Sequence, residues 1–429
     1  MTSLRRFLFF AFCVCLLTSC APVPNESNTT ISSASPSPTA SASPSLASTD
    51  TAPAQMTLPL LDALLTDDKF VARAKENVKL SDEQIDSLKR VSSEQVARLR
   101  ESNAEDAEDT DGNPRERAEQ ELRTILGEQK AREFATFANE YWSKGDPAEA
   151  SQDNAQMLPG PNAVPTDTRV VVNIPAFRMD LFQDGSLVKS YKVGIGYPQF
   201  PLPQGLRKAQ TIIFNPTWTP PDSPWVAKMK NVSPGETVAA GDKDNPLGPI
   251  KIPIGLPSLI HGGKSPSKIG KFASHGCVGL TTPQVKDFAA LLAKASNTTE
   301  ISDKSIDTYL EDKERTQTVK LNQTVPVELR YETIVLEDDG KLHIYKDVYA
   351  QDTNTEENLR QVLEAHGMKL EDLSEQQRQQ ALDALKPDLK KEVVIDLGSI
   401  AQKGYPVAVN LDTGNGKNPA TDKRRKKTD

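Results

Sequence analysis

One cysteine of this chain is a candidate nucleophile, because no other thiol lies near it in the sequence. The chain has four cysteines, and three of them lie close to the N-terminus: Cys13, Cys15 and Cys20. The fourth, Cys277, directly follows His275 and Gly276. A thiol is mostly protonated at neutral pH, so it needs a nearby base before it can attack a carbonyl. The structural alternative is an inert cysteine buried in the core.

Two histidines are candidates for that base. His275 lies two residues before Cys277, so the two side chains share a face if the segment is extended. If Ser274 opens a tight turn instead, Gly276 lets the backbone fold sharply, and the amides of Gly276 and Cys277 can form an oxyanion hole. His261 ends an apolar run, and a base on a neighbouring strand is easier to orient toward Sγ. We therefore predict His261 as the base and a structural role for His275.

The wider pattern resembles the YkuD-type L,D-transpeptidases. Its centre is His261-Gly262 followed by Ser274-His275-Gly276-Cys277-Val278. Further matches are Asn245-Pro246-Leu247-Gly248 before the histidine and Val171-Val172-Asn173-Ile174-Pro175 as an opening strand. The similarity extends over about residues 168–349. It implies a β-rich catalytic domain that acts on the peptide stems of peptidoglycan.

The resemblance also implies a mechanism. Cys277 would attack the carbonyl of the third residue of a tetrapeptide stem, D-alanine would leave, and a thioester would form. An amine of another stem or of a protein would then resolve the thioester into a 3-3 cross-link or an anchor. His261 would act as base and then as acid, with its ring oriented by the carbonyl of Gly262. Ser274 and His275 would shape the turn and the pocket.

One position departs from this family. Two residues after the cysteine, where the family usually has Arg or, in one branch, Asn, this chain has Gly279. Three lysines of the preceding loop are candidate sources of positive charge: Lys264, Lys268 and Lys271.

The favoured function is L,D-transpeptidation. The alternatives are an L,D-carboxypeptidase or hydrolase, which resolves the same thioester with water, and a non-catalytic wall-binding protein.

The N-terminus predicts export. Arg5 and Arg6 precede an apolar run, 7–17, that is too short to cross a bilayer, so residues 1–19 are predicted to be a signal peptide. The run ends in Leu17-Thr18-Ser19-Cys20, which resembles a lipoprotein lipobox and predicts lipidation of Cys20. An ordinary signal peptide is the alternative. We expect an exported protein, lipid-anchored to a membrane and facing the periplasm or the cell wall.

The rest of the chain divides into five predicted regions. Residues 20–55, rich in Ser, Thr, Pro and Ala, predict a disordered tether. Residues 56–150 predict a helical hairpin, whose protein partner, if it has one, the sequence does not identify. The catalytic domain with its extension occupies 168–349, and 353–411 predicts a small α/β region. Residues 412–429 predict a disordered basic tail. The predicted fold class is α+β.

The composition and motifs give no indication of a metal, a cofactor or a nucleic-acid partner. The formal net charge is −8, and the helical region carries most of the acidic excess. The sequence has no H-E-x-x-H, no C-x-x-C and no phosphate-binding loop, and the helical region contains neither His nor Cys. We therefore expect the chemistry to be carried by side chains alone.

Several local signals predict where elements begin and turn. Ser81 and Gln84 have the spacing of a helix capping box, and so do Ser374 and Gln377. Asp184-Gly185 predicts a hairpin turn. Thr282 followed by Pro283 predicts the start of the helix after the cysteine. One helix is predicted over 122–141, and short strands are predicted at 393–395 and 407–411.

Overall fold

A computed structural model describes residues 56–102, 107, 112–144, 156–220, 226, 229–255, 258–398 and 404–415. The predicted signal peptide, the predicted lipidation site Cys20, the whole predicted tether and most of the predicted basic tail lie outside these residues. Among the helices that the structure describes, none has the length and apolar character needed to cross a bilayer. The architecture is α+β, as the sequence predicts.

Five helices form the N-terminal region: α1 (Leu58–Leu65), α2 (Asp68–Val78), α3 (Asp82–Ser102), α4 (Pro114–Leu126) and α5 (Glu128–Lys144). Their apolar faces share one core, in which Phe70 packs edge-on against Phe134 and Tyr141. The predicted cap is present, since the Ser81 hydroxyl accepts from the Gln84 amide. The single helix predicted over 122–141 is wrong, because Gly127 takes a φ of 77° and separates α4 from α5.

The main sheet follows as β1 (Arg169–Asn173), β2 (Arg178–Gln183), β3 (Ser186–Lys192), β5 (Gly205–Phe214), β6 (Ile250–Pro253), β7 (Leu259–His261), β9 (Val278–Gly279) and β10 (Gln317–Arg330). The order is β3-β2-β1-β10-β5-β6-β7-β9, with β1–β10 and β7–β9 parallel and the other neighbours antiparallel. The predicted turn joins β2 to β3, where Asp184 and Gly185 both have positive φ. A short parallel pair, β4 (Ile195–Gly196) and β8 (Phe272–Ser274), lies beside it.

Two helices cover one face of this sheet: α6 (Thr282–Ala295) and α7 (Asp303–Glu311). Phe288 and Leu292 of α6 and Ile306 of α7 are buried in the same core as the strands. The capping residue of α6 is Thr281, one residue earlier than predicted, because its hydroxyl and the Gln284 side chain form the capping box. The capping residue of this helix therefore lies four residues after Cys277.

The C-terminal region contains β11 (Ile334–Leu336), β12 (Lys341–Ile344) and β13 (Val393–Asp396) in one sheet, with α8 (Glu356–Ala365) and α9 (Glu375–Ala384) packed on it. The box predicted at Ser374 and Gln377 caps α9. The strand predicted at 407–411 is wrong. Residues 404–415 instead cross the body as a segment with isolated bridges at Tyr405 and Asp412. Asp412, predicted to begin a disordered tail, exchanges backbone hydrogen bonds with β3.

Candidate active site

The parallel pair β7–β9 brings the predicted base and the predicted nucleophile to one face of the sheet. Ile260 pairs with Val278, and His261 pairs with Gly279. Ile260 and Val278 are fully buried in the core. Since alternate residues of a strand point to opposite faces, His261 and the position of Cys277, directly before Val278, share the other face. Cys277 is the one cysteine among the described residues, and it is partly buried.

The backbone around His261 fixes which ring nitrogen carries the proton. His261 is 3% exposed, and its Nδ1 lies 2.8 Å from the carbonyl oxygen of Gly262. A carbonyl can only accept, so Nδ1 is the donor, and in the neutral ring Nε2 is left as the basic nitrogen. This is the contact expected for Gly262 from the sequence. It leaves His261 able to take a proton.

Burial holds both groups of the pair in their neutral forms. Burial lowers the pKa of His261 to about 3, and the positive charges of Lys264 and Lys251 act in the same direction. Burial raises the pKa of the Cys277 thiol, whereas a backbone hydrogen bond with Leu259 and the charge of Lys264 lower it. At neutral pH the resting pair is therefore a neutral thiol and a neutral imidazole, with the imidazole in the form that can accept a proton.

The turn that carries the cysteine is closed by Ser274. Its hydroxyl donates to the carbonyl of Cys277 and accepts from the amide of Cys277 at 3.0 Å. The Cys277 amide therefore points into the turn, and the expectation that it is directed at an oxyanion does not hold for this conformation. Gly276 has a φ of +95°, which L side chains rarely adopt. The turn thus needs both the serine and the glycine.

His275 has a packing role in this turn. Its ring lies between Phe200 and Tyr197, with centroid separations of 4.8 and 5.5 Å. On the other side of the turn, the Ser258 hydroxyl donates to the carbonyl of Gly276 at 2.9 Å. These contacts hold the turn between the β4 segment and the β7 strand, in agreement with the structural role predicted for His275.

The Asn245-Pro246-Leu247-Gly248 segment packs against the two glycines that follow the histidine, and a backbone hydrogen bond joins Leu247 to His261. A Cβ at Gly248 would lie 2.5 Å from the amide nitrogen of Gly263, so only glycine permits this approach. Asn245 fixes the segment by donating to the carbonyls of Pro216 and Ala239. The sequence match at this segment therefore corresponds to backbone that packs against the residues directly after His261.

Lys264, one of the three lysines predicted as candidate sources of positive charge, reaches the site. A Cβ at Gly279 would lie 2.8 Å from Cγ and 2.9 Å from Cε of Lys264, so the lysine stem occupies the space beside the glycine. Of the other two loop lysines, Lys268 donates to the Tyr197 hydroxyl and Lys271 is exposed. Only the sheet register brings Lys264 to Gly279, which is why spacing along the chain did not identify it.

The described residues contain no group of three or more His, Cys, Asp or Glu side chains that could hold a metal ion. The candidate site consists of Cys277 and His261, the turn that presents the thiol, and the nearby cation of Lys264.

Fold and site together define an α+β protein in which a β-rich region brings a lone thiol and a histidine to one sheet face. Residues 167–307, about a third of the chain, match the YkuD family, the L,D-transpeptidase catalytic domain. The resemblance inferred from the sequence is confirmed for this stretch.

Solved structures similar to this chain include L,D-transpeptidases from Mycobacterium smegmatis (15% identity, TM-score 0.23) and Mycobacterium tuberculosis H37Rv (13%, 0.22). The catalytic domain of the E. faecium L,D-transpeptidase is another (15%, 0.25). These similarities cover 38%, 38% and 39% of this chain, and 58%, 57% and 100% of the other chains, respectively. The chain thus spans little more than half the length of the two mycobacterial proteins. No curated protein matches this chain significantly.

Proposed function

We propose that this chain is a peptidoglycan L,D-transpeptidase that works through a thioester on Cys277. The observation that carries the proposal is the position of Cys277 on a tight turn beside the strand of His261, within the stretch that matches the catalytic-domain family. The proposed substrate is a tetrapeptide stem, and the acceptor is an amine of a second stem or of a protein.

In the proposed reaction, Nε2 of His261 takes the thiol proton while Sγ bonds to the carbonyl carbon of the third stem residue. The tetrahedral oxyanion then collapses, the bond to D-alanine breaks, and His261 returns its proton to the leaving amine. An acceptor amine attacks the thioester, loses its proton to His261 and releases the thiol. The Nδ1 contact to Gly262, which leaves Nε2 as the basic nitrogen of the neutral ring, supports this assignment of the proton transfers.

Product mass tests the acceptor. The full chain is incubated with disaccharide fragments that carry tetrapeptide stems. Cross-linked dimers are the expected product. Tripeptide fragments alone would replace the proposal with an L,D-carboxypeptidase, and unchanged fragments would favour a non-catalytic wall-binding protein.

Covalent capture tests the nucleophile and the base separately. With a carbapenem, the native chain is expected to gain one adduct by intact mass, and Cys277→Ala to gain none. His261→Ala should slow adduct formation about 10²–10⁴-fold, the usual contribution of a general base. His366→Ala is the matched control, because His366 lies at the end of α8 in the C-terminal region. An adduct on Cys277→Ala would remove Cys277 from the mechanism.

We further propose that the chain is exported and anchored through lipid on Cys20, where it faces the periplasm or cell wall. The support is the sequence pattern that ends in Leu17-Thr18-Ser19-Cys20. Metabolic labelling with a palmitate analogue in a bacterial host should label the native chain and not Cys20→Ala. Equal labelling of both would point to an ordinary signal peptide.

A further inference from the structure

The loop between His261 and Cys277 returns along β9. The amide of Lys264 donates to the carbonyl of Leu280 at 3.0 Å, and the amide of Leu280 donates to the carbonyl of His261 at 2.8 Å. Lys264 is therefore tied by its backbone to the residue next to Gly279. Its position follows from the sheet and is not that of a loose loop side chain.

The side chain of Lys264 lies across Gly279. A β-carbon at position 279 would lie 2.8 Å from Cγ, 3.3 Å from Cδ and 2.9 Å from Cε of the lysine. Real β-carbons almost never come within 3.0 Å of such atoms, so no other residue type fits at 279 while Lys264 keeps this path. Lys264 is partly buried, and Gly279 is buried. The long side chain of Lys264 thus occupies the space that a side chain at position 279 would need.

The ammonium group acts on both members of the pair. The charge of Lys264 lowers the pKa of Cys277 and that of His261. Lys251, which pairs with His261 in the β6–β7 register, acts on the histidine. A cation beside the pair favours the thiolate over the thiol and disfavours the imidazolium. The effect on Cys277 favours a negative charge at the reacting sulfur, whereas the effect on His261 keeps the imidazole neutral and makes it a weaker base.

We propose that Lys264 is a positioning residue of this site: its stem fills the space beside Gly279, and its ammonium group stabilises negative charge on Cys277. The inference rests on the proposed cysteine chemistry for its role in turnover. Its effect on the thiol is measurable without any turnover. Position 279, two residues after the cysteine, then has no side chain because the side chain of Lys264 occupies that space.

Thiol alkylation as a function of pH tests the charge. In the full-length chain, Lys264→Met keeps an unbranched stem and removes the ammonium, whereas Lys264→Arg keeps the charge. Iodoacetamide should modify Cys277 about tenfold more slowly in Lys264→Met at neutral pH, the effect of about one pKa unit. The pH profile should move upward by a similar amount. Lys264→Arg should stay within about threefold of the native rate, since its charge is retained. Lys271→Met is the matched control from the same loop and should behave as the native chain.

A double-mutant cycle tests the packing. Gly279→Ala places a methyl group on the path of Lys264, so it should displace the ammonium and reproduce the alkylation shift of Lys264→Met. In a Lys264→Ala background the same substitution has room and should add nothing further, which makes the two effects strongly non-additive. Thermal melting of each variant shows whether it is folded, and relief of the Gly279→Ala destabilisation by Lys264→Ala would itself support the contact.

Two results would overturn the inference. One is a native pH profile in Lys264→Met, and the other is additivity of the two substitutions. Failure of the proposed function is a different result, since it would appear as native chain that neither processes stems nor forms a carbapenem adduct. A shifted alkylation profile in such a chain would leave the role of Lys264 at the thiol intact.

Discussion

At the scale of single residues, the site depends on two groups that burial keeps uncharged. His261 is almost fully buried and hydrogen-bonded through Nδ1 to the Gly262 carbonyl. A buried imidazole is costly to protonate, so it stays an acceptor over a wide pH range. Burial likewise raises the pKa of the Cys277 thiol and favours its neutral form. In the proposed reaction, the thiol would therefore lose its proton during attack on the substrate and not before it.

This depressed pKa predicts how stability depends on pH. An unfolded histidine binds a proton below about pH 6.5, but folded His261 binds one only near pH 3. As pH falls between these values the unfolded state holds the extra proton, so the free energy of unfolding decreases. From this group we expect a loss of about 2 kcal/mol between pH 7 and pH 5. Urea unfolding at the two pH values measures it.

The matched variant for this prediction is His261→Gln. It has no titrating group at this position, so its loss of stability between pH 7 and pH 5 should be smaller by about the same 2 kcal/mol. The comparison uses the difference between pH values, so any constant cost of the substitution cancels. Equal pH dependence in both proteins would mean that folding does not lower the pKa of His261.

The sequence predicted some of these residues and not others, for a physical reason. Cys277, His261 and the turn residues are recognisable because their chemical types and spacing are unusual in themselves. Lys264 was one of three equivalent lysines, because its contact with Gly279 depends on the parallel register of β7 and β9. The amide of Cys277 was assigned to an oxyanion, but the Ser274 hydroxyl is close enough to take its hydrogen bond.

At the scale of elements, the turn before β9 decides where the thiol lies. Only three residues join β8 to β9, and the middle one, Gly276, has a φ of +95°. We expect Gly276→Ala to cost about 1–2 kcal/mol, the penalty for an L side chain in this region, and to slow Cys277 alkylation as the turn relaxes. Thermal melting and iodoacetamide kinetics measure the two effects.

Gly160 provides the matched control for the turn. Its φ is +83°, and a Cβ there would meet nothing within 4 Å. Gly160→Ala therefore has a similar backbone cost at a position outside the site. It should lower the melting temperature and leave the alkylation rate unchanged. Equal loss of alkylation in both variants would assign the effect to global destabilisation and not to the turn.

The pairing of β1 with β10 contains a buried ion network. Glu328 on β10 is 1% exposed and contacts Arg169 at 2.5 Å and Arg330 at 2.9 Å. Removing the carboxylate leaves the positive charges of two buried guanidinium groups without one of their negative partners. We expect Glu328→Gln to destabilise the protein by about 3–5 kcal/mol. Urea unfolding measures the change.

An exposed ion pair supplies the comparison for Glu328. Lys286 contacts Asp307 at 2.6 Å, but the two side chains are 38% and 64% exposed. The same acid-to-amide change, Asp307→Asn, should cost at most about 1 kcal/mol, because solvent screens the pair. If Asp307→Asn costs as much stability as Glu328→Gln, burial is not what makes the Glu328 ion pairs important.

Local signals predicted many of these elements, whereas long-range pairing was not accessible from them. The turn at Asp184-Gly185 and the boxes at Ser81 and Ser374 are set by neighbouring residues, and the structure has all three. The parallel pairing of β1 with β10 joins residues that are about 160 positions apart, and no local pattern specifies it. The strand predicted at 407–411 is wrong because the isolated bridges form on either side of it, at Tyr405 and Asp412, and none of its residues is buried.

At the scale of the whole molecule, the regions are tied together by a few polar contacts around the site. The hydroxyl of Thr57, which caps α1, donates to the carbonyl of Gln199 at 2.8 Å. The next residue, Phe200, packs on His275 of the nucleophile turn. Asn113, which caps α4, donates to the carbonyl of Ala350 at 3.2 Å. The helical region therefore contacts the segment that supports the turn.

The segment 404–415 links the C-terminal sheet back to the catalytic region. The Tyr405 amide donates to the Leu336 carbonyl at 2.7 Å, and its hydroxyl donates to buried Asp180 at 3.1 Å. Further along, the carbonyl of Asp412 accepts from the amide of Lys192 and from the side chain of Gln284. Gln284 also caps α6, the helix that follows the nucleophile. This short segment thus hydrogen-bonds to β11, to the β2–β3 hairpin and to α6.

A chain that ends at residue 403 should therefore be less stable than one that ends at 415. The shorter chain loses these hydrogen bonds, each worth about 1 kcal/mol, and leaves Asp180 with one buried partner fewer. A net loss of about 3 kcal/mol corresponds to a melting temperature lower by roughly 6–12 °C for a domain of this size. The chain ending at 415 is the matched control, because it removes only the basic tail and keeps every contact described for 404–415. Thermal melting compares both with the full chain. Equal melting temperatures for the two truncated chains would show that the segment lies on the body without holding it, since its contacts would then contribute nothing to the stability of the elements that they join.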